Sequence, residues 1–105
     1  MSVHRHRVRA GARTKAAAVA AVADALDFPD WFGHNLDALY DCLTDLSWLP
    51  AGEHVLIWAG SAAFKAADPR SYLAIRSVLS DAQRALGPES SRAGSRRLTI
   101  HFPES

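Results

Sequence analysis

The run His54-Val55-Leu56-Ile57-Trp58-Ala59 constrains the fold more than any other part of the chain. It carries no formal charge, follows a turn marked by Pro50 and Gly52, and is too short to cross a membrane. A continuous apolar stretch of this kind predicts a strand covered on both faces, as in a parallel sheet. Parallel strands need crossover connections, and helical patterns stand on both sides of this one.

Val3 to Arg9 alternates, with His4, His6 and Val8 on one side and Arg5, Arg7 and Arg9 on the other. This predicts a strand with a wet face at a sheet edge. His4 and His6 share a face, as metal ligands can. No third ligand stands nearby, so an exposed edge is expected instead. A helix is predicted from about Arg13 to Leu26, with Val19, Val22 and Leu26 as its apolar stripe. Its basic approach and Ala/Val content resemble a signal peptide, but Asp24 follows at once, and the region is read as mature protein.

Asp27 to Gly33 reads as a loop. Pro29 biases Phe28 away from helix, and Gly33 permits a positive φ. Asn35 should cap a helix running to about Leu46, with Leu36, Leu39, Leu43 and Leu46 buried. Ser61 should cap a short helical turn through Ala67. Asp68-Pro69 starts a longer helix whose stripe is Tyr72, Ile75, Leu79, Ala82 and Leu86, with Asp81 outside and Gly87-Pro88 as the stop. Glu89 to Arg97 is polar and basic, and is expected to be a mobile loop. Leu98 to Phe102 is the last strand. The order β, α, α, β, short α, α, β predicts an α/β fold. Its core is a small three-stranded parallel sheet packed with about four helices, in a single domain over residues 1–105.

Net charge is +1, which offers no bulk attraction to nucleic acid or membranes. That average hides an asymmetry. No Lys or Arg occurs between Lys15 and Lys65, where Asp24, Asp27, Asp30, Asp37, Asp41, Asp45 and Glu53 lie. Such a block is either a solvated face or a surface that attracts a cationic partner. Cys42 is the only cysteine. It excludes an internal disulfide, suggests a reducing, cytoplasmic setting, and falls toward the apolar side of its helix.

Asp37 and Asp41 stand one helical turn apart on the polar side, with Asp45 and His34 near them and Tyr40 at the border. Like charges at i,i+4 repel, so this spacing costs helix stability. Acid–base catalysis needs two carboxyls whose environments split their pKa values, and no burying pocket is visible here. There is no phosphate loop, nucleophile elbow, zinc spacing or calcium loop. Aromatic anchors beside charges suit a protein interface better. Trp31 is the candidate for exposure, and Phe32 is expected to cover the core edge.

At Pro29-Asp30-Trp31-Phe32-Gly33-His34-Asn35-Leu36-Asp37-Ala38-Leu39-Tyr40-Asp41-Cys42-Leu43-Thr44 the sequence resembles the barstar family of ribonuclease inhibitors. The order of elements agrees over nearly the whole chain. The resemblance implies that the loop and acidic helix plug the active site of a small basic ribonuclease. Asp41 would then stand where an RNA phosphate binds, and Asp37 would meet a second basic group. Trp31 would pack on the catalytic site, with Gly33 allowing close backbone approach. Asn35, Leu36 and Tyr40 match further contacts, His34, Thr44 and Asp45 belong to the same surface, and Asp81 corresponds loosely to an acidic contact on the last helix. The chain departs from the family pattern in its near-neutral charge, its basic ends and its longer final loop. His34 replaces an acid, Trp31 a Tyr and Tyr40 a Trp, and a second cysteine is absent.

The expected protein is thus an inhibitor and not an enzyme. It would use no cofactor or metal, touch neither nucleic acid nor membrane directly, and be monomeric when free. The alternative is an immunity or adaptor module of the same fold that binds a partner other than a ribonuclease.

Overall fold

The computed structural model of the chain describes residues 3–86 and 96–103. The elements are β1 (Val3–Arg7), α1 (Lys15–Ala25), α2 (Leu36–Asp45), β2 (Gly52–Ile57), α3 (Ser61–Ala67), α4 (Pro69–Ala85) and β3 (Arg96–His101). The strands form one parallel sheet in the order β1-β2-β3. This is the α/β arrangement that the sequence predicts, with β2 in the centre.

The central strand is nonetheless covered on one face only. His54 and Leu56 are buried, whereas Glu53, Val55 and Ile57 are half-buried. The register places His4, His54 and Leu98 in one row and His6, Leu56 and Ile100 in the next, all on the helical side. Arg5 stands beside Val55 and Arg7 beside Ile57 on the open side. Aliphatic arginine stems can shield such residues while their guanidinium groups stay wet. An uninterrupted apolar run therefore did not require a second helical layer. His4 and His6 also depart from expectation. They are half-buried against the helical side, and the exposed face of β1 belongs to its arginines.

Thr14 caps α1, its Oγ1 accepting from Ala17 N–H at 3.1 Å. Ala18, Val19, Ala21, Val22 and Ala23 are all buried, so this helix presents a wide apolar face. The N-cap of α3 is Gly60 and not Ser61, which is buried and makes no capping bond. A Cβ on Gly60 would lie 3.0 Å from the Cβ of Ala10, so the chain passes here too closely for a side chain. Asp68 and Pro69 start α4 as predicted, with Asp68 Oδ1 accepting from Ser71 N–H at 3.2 Å. Tyr72, Ile75, Leu79 and Ala82 are buried along α4, and Leu86 is half-buried.

The expected Gly87-Pro88 stop and the polar loop up to Ser95 lie outside the described residues. The last strand begins at Arg96, earlier than Leu98, because Arg96 and Arg97 continue the pairing with Gly52 and Glu53. Arg96 Nε also donates to the Leu49 carbonyl at 2.9 Å. On the other side of β3, Ile100 N–H donates to Gln83 Oε1 of α4 at 2.9 Å, which satisfies part of the sheet edge.

Candidate functional site: an acidic helix and its aromatic loop

The connection from α1 to α2 is shaped by its aromatic residues. Phe28 meets Phe32 edge-on at 4.9 Å and Trp48 edge-on at 5.6 Å. Trp48 Nε1 donates to the Leu26 carbonyl at 2.8 Å. This places Phe32 in the core at 5% exposure, while its neighbour Trp31 is 70% exposed. Leaving an aromatic of this size in water forgoes burial worth on the order of 3 kcal/mol. Among the described residues, no hydrogen bond or ring contact uses that surface.

Left-handed backbone occurs at Asp27 (φ 53°) and His34 (φ 51°), not at Gly33. Gly33 matters for space instead. A Cβ there would come within 3.2 Å of Asn35 Nδ2 and 3.6 Å of the Ala38 Cβ. Asn35 does two things at once. Its Oδ1 accepts from Ala38 N–H at 2.8 Å, capping α2 as predicted, and its Nδ2 donates to the Gly33 carbonyl at 3.3 Å. The cap thus fixes the last turn of the loop against the first turn of the helix.

Leu39, Cys42, Leu43 and Leu46 are fully buried, and Leu36 is half-buried. Burial pushes the Cys42 thiol up in pKa, and the carboxylates of Asp45 and Asp41 add to that shift. The solvent side of α2 carries Asp37, Tyr40, Asp41 and Asp45. Thr44 is half-buried beside them, its hydroxyl within hydrogen-bond reach of the carbonyls of Tyr40 (2.9 Å) and Asp41 (3.2 Å). Asp45 Oδ2 accepts from Ser47 Oγ at 3.2 Å.

The electrostatics of α2 are unfavourable for the helix itself. Asp37–Asp41 and Asp41–Asp45 are both i,i+4 like-charge pairs, each costing about 0.2–0.5 kcal/mol. Asp37 lies in the first turn, where the helix dipole favours it, but Asp45 closes the last turn, where the dipole opposes it. Among the described residues the ion pairs are Arg9–Asp24 and Arg84–Asp81, so the three carboxylates of α2 have no cationic partner. Asp81 is exposed on α4 as expected, but its charge is balanced by Arg84 in its own helix.

Trp31, Gly33, His34, Asn35, Leu36, Asp37, Tyr40, Asp41, Thr44 and Asp45 therefore form one continuous loop-and-helix unit. Asp81 belongs to a separate helix. The residue that sequence reasoning missed is Trp48. It lies beyond the motif, and its bond to Leu26 joins residues 22 positions apart, which no local pattern signals. Among the described residues no three His, Cys, Asp or Glu side chains are grouped to hold a metal, and no helix is long and apolar enough to cross a membrane.

Comparison with known proteins adds two findings. The family described as Barstar (barnase inhibitor) matches residues 3–100. A curated protein of Bacillus subtilis (strain 168), named "Putative ribonuclease inhibitor YrdF", is 67% identical over 27 residues. That stretch spans 26% of this chain and 30% of the relative's length.

Proposed function

Given that this chain belongs to the barstar family, we propose that it inhibits a small basic ribonuclease by seating α2 and the preceding loop in the enzyme's active site. The observation that carries this reading is the strip Asp37–Asp41–Asp45. Among the described residues its carboxylates have no cationic partner, and the preceding loop carries an aromatic, Trp31, that is 70% exposed. Groups that cost the free protein stability are accounted for when a partner supplies the missing charge.

In this reading Asp41 occupies the position of an RNA phosphate among the enzyme's cationic groups, through charge-assisted hydrogen bonds. Asp37 engages a second basic group. Trp31 packs on the catalytic site, and the bare backbone of Gly33 lets the loop approach closely. His34, Asn35, Leu36, Tyr40, Thr44 and Asp45 border this contact, and Asp81 contributes at its periphery. Inhibition comes from occupancy alone. The chain transforms nothing, needs no cofactor, and acts as one domain over residues 1–105, monomeric before it binds. A cytoplasmic location fits its lone thiol.

The test is titration of a small basic bacterial ribonuclease with the protein while RNA cleavage is followed. Activity is expected to fall to zero at an equimolar ratio. Asp41→Ala should weaken inhibition by about 2–5 kcal/mol, because it leaves enzyme cations buried and unpaired. Unchanged inhibition by that variant would defeat the phosphate-mimic mechanism. Failure to inhibit any small basic ribonuclease would favour a partner of another kind.

A further inference from the structure

Carbonyl oxygens dictate where a half-buried and a buried histidine must carry hydrogen. His6 on β1 sets its Nδ1 3.1 Å from the carbonyl oxygen of Ala25, and its Nε2 lies 2.9 Å from Nδ1 of His54. His54 on β2 sets its Nε2 2.8 Å from the carbonyl oxygen of Pro50. A carbonyl can only accept, so His6 Nδ1 and His54 Nε2 must both be N–H. A neutral imidazole has one N–H. Two neutral rings would therefore use both hydrogens on the carbonyls and turn two bare lone pairs toward each other at 2.9 Å. Three contacts of hydrogen-bond length need three protons.

We propose that His6 and His54 form a partly buried binding site for one additional proton, shared along the Nε2···Nδ1 line, so that the pair carries a single positive charge in the native protein. The spacing suits a proton and no larger cation. Two Zn–N bonds of about 2.0–2.1 Å each cannot be laid along it. A second added proton is refused, because it would set N–H against N–H. Burial works against any charge on the pair, and the Ala25 and Pro50 carbonyls work for it. His54 has 0% exposure. Desolvation holds both rings below an ordinary histidine, and the Coulomb effect of His54 adds to this at His6. The pair therefore titrates as a unit that accepts one charge and rejects two.

Titratable neighbours reach the pair from several elements. His4 of β1 stacks on His54 with ring centroids 4.8 Å apart, and its Nε2 is buried without a hydrogen-bond partner. Asp27, in the loop after α1, favours the charged form of His6. Arg96 of β3 and His4 oppose charge on His54, and the Pro50 carbonyl supports it.

The position gives the site its consequence. Ala25 is the last residue of α1, directly before the loop that carries Trp31, and Pro50 lies in the connection that leaves α2. The shared proton ties both ends of the loop-and-helix unit to the central strand. Its loss releases at least one of three contacts. This holds whether or not the partner is a ribonuclease, and the tests below use the inhibitor alone.

In the unfolded chain both rings titrate at about 6.5. Where the three hydrogen bonds outweigh desolvation, the first proton is held above that value, and its stabilisation is present at lower pH and lost as pH rises through the folded value. The second is held below it, so stability falls again as pH drops under about 6.5 and the unfolded chain takes up the extra proton. Ring-nitrogen NMR on the full chain should show His6 Nδ1 and His54 Nε2 protonated throughout. The two facing nitrogens should share one proton and lose it in a single step above the range of a free histidine. The urea midpoint of the wild type should fall between about pH 6.5 and about pH 8.5. It should fall less in His6→Gln, whose amide can donate to a neutral His54 without adding charge. Two lone-pair nitrogens at pH 6.5, or rings that titrate independently at or below the free value, would overturn the assignment. So would a wild-type midpoint that falls no more than that of the variant. Should His6→Gln fail to fold, the ring titration of the wild type decides alone.

Discussion

Trp48 hydrogen-bonds to Leu26 across the base of the aromatic loop, its indole N–H 2.8 Å from the carbonyl oxygen. The same ring packs edge-on against Phe28. A residue three positions beyond the acidic helix therefore holds the residue before the loop. Trp48→Phe keeps most of the apolar contact and removes the donor, leaving a part-buried carbonyl unpaired. Stability should fall by about 0.5–1.5 kcal/mol, read as a shift in urea midpoint. Amide hydrogen exchange should speed up most between Phe28 and His34, before global unfolding. Uniform acceleration along the chain would mean that Trp48 serves general packing instead of the loop.

Asn35 is the next point of control. Its Oδ1 satisfies Ala38 N–H and its Nδ2 reaches back to Gly33. Asn35→Ala should cost about 0.5–2 kcal/mol of stability through the lost cap. Asn35→Asp should recover most of the cap but not the bond to Gly33, since a carboxylate donates nothing. Comparing the two by thermal denaturation and by partner affinity separates the helix start from loop geometry. Affinity should recover less than stability in the Asp variant.

The carboxylates of α2 should respond with opposite signs in folding and binding. Asp41→Asn relieves two i,i+4 repulsions and should leave the free protein unchanged or stabilise it by up to about 1 kcal/mol. The same change should weaken ribonuclease inhibition by far more. Equal losses in both measurements would place Asp41 in the fold, where none of its described contacts puts it.

Much of this was legible in the sequence for a physical reason. The caps at Asn35 and Asp68 depend on groups within three residues of them, so local chemistry announces them. The α4 stripe follows from helical period. What failed depends on distant chain segments. The one-sided cover of β2 depends on its neighbours in the sheet, where Arg5 stands beside Val55 and Arg7 beside Ile57, and a run of apolar letters cannot reveal that. His4 and His6 looked wet because their strand is at the edge, yet His6 meets His54 from 48 residues away. Gly33 permits a positive φ, but its steric demand comes from Asn35 and the positive φ lies at His34. In the candidate site, local signals found the acids and Trp31, and missed Trp48.

Electrostatic steering gives a prediction about rates. Asp37, Asp41 and Asp45 of α2 are exposed without a cationic partner among the described residues, and the arginines of β1 are exposed on a separate element, so charge is unevenly spread although the net charge is +1. Association with a basic partner should slow by at least tenfold between low salt and about 0.5 M salt, while dissociation changes little. Stopped-flow mixing at several ionic strengths measures this. A salt-independent association rate would show that the acidic strip does not guide the encounter.

Cys42 connects the buried side of the same helix to pH. Its side chain is fully buried, and desolvation raises its pKa, with Asp45 and Asp41 adding to the shift. An aromatic disulfide reagent should leave the native thiol unmodified at neutral pH and react on addition of denaturant. Because the folded thiol keeps its proton to higher pH than the unfolded one, the unfolded chain releases protons first. Stability must therefore fall as pH rises through the ordinary thiol range and on toward the folded value. Cys42→Ala should lower stability by about 1 kcal/mol near neutrality, through the small cavity it leaves. It should also flatten the alkaline decline relative to the wild type. Urea midpoints of both proteins at matched alkaline pH values measure the difference in slope, and parallel curves would assign the decline to other groups.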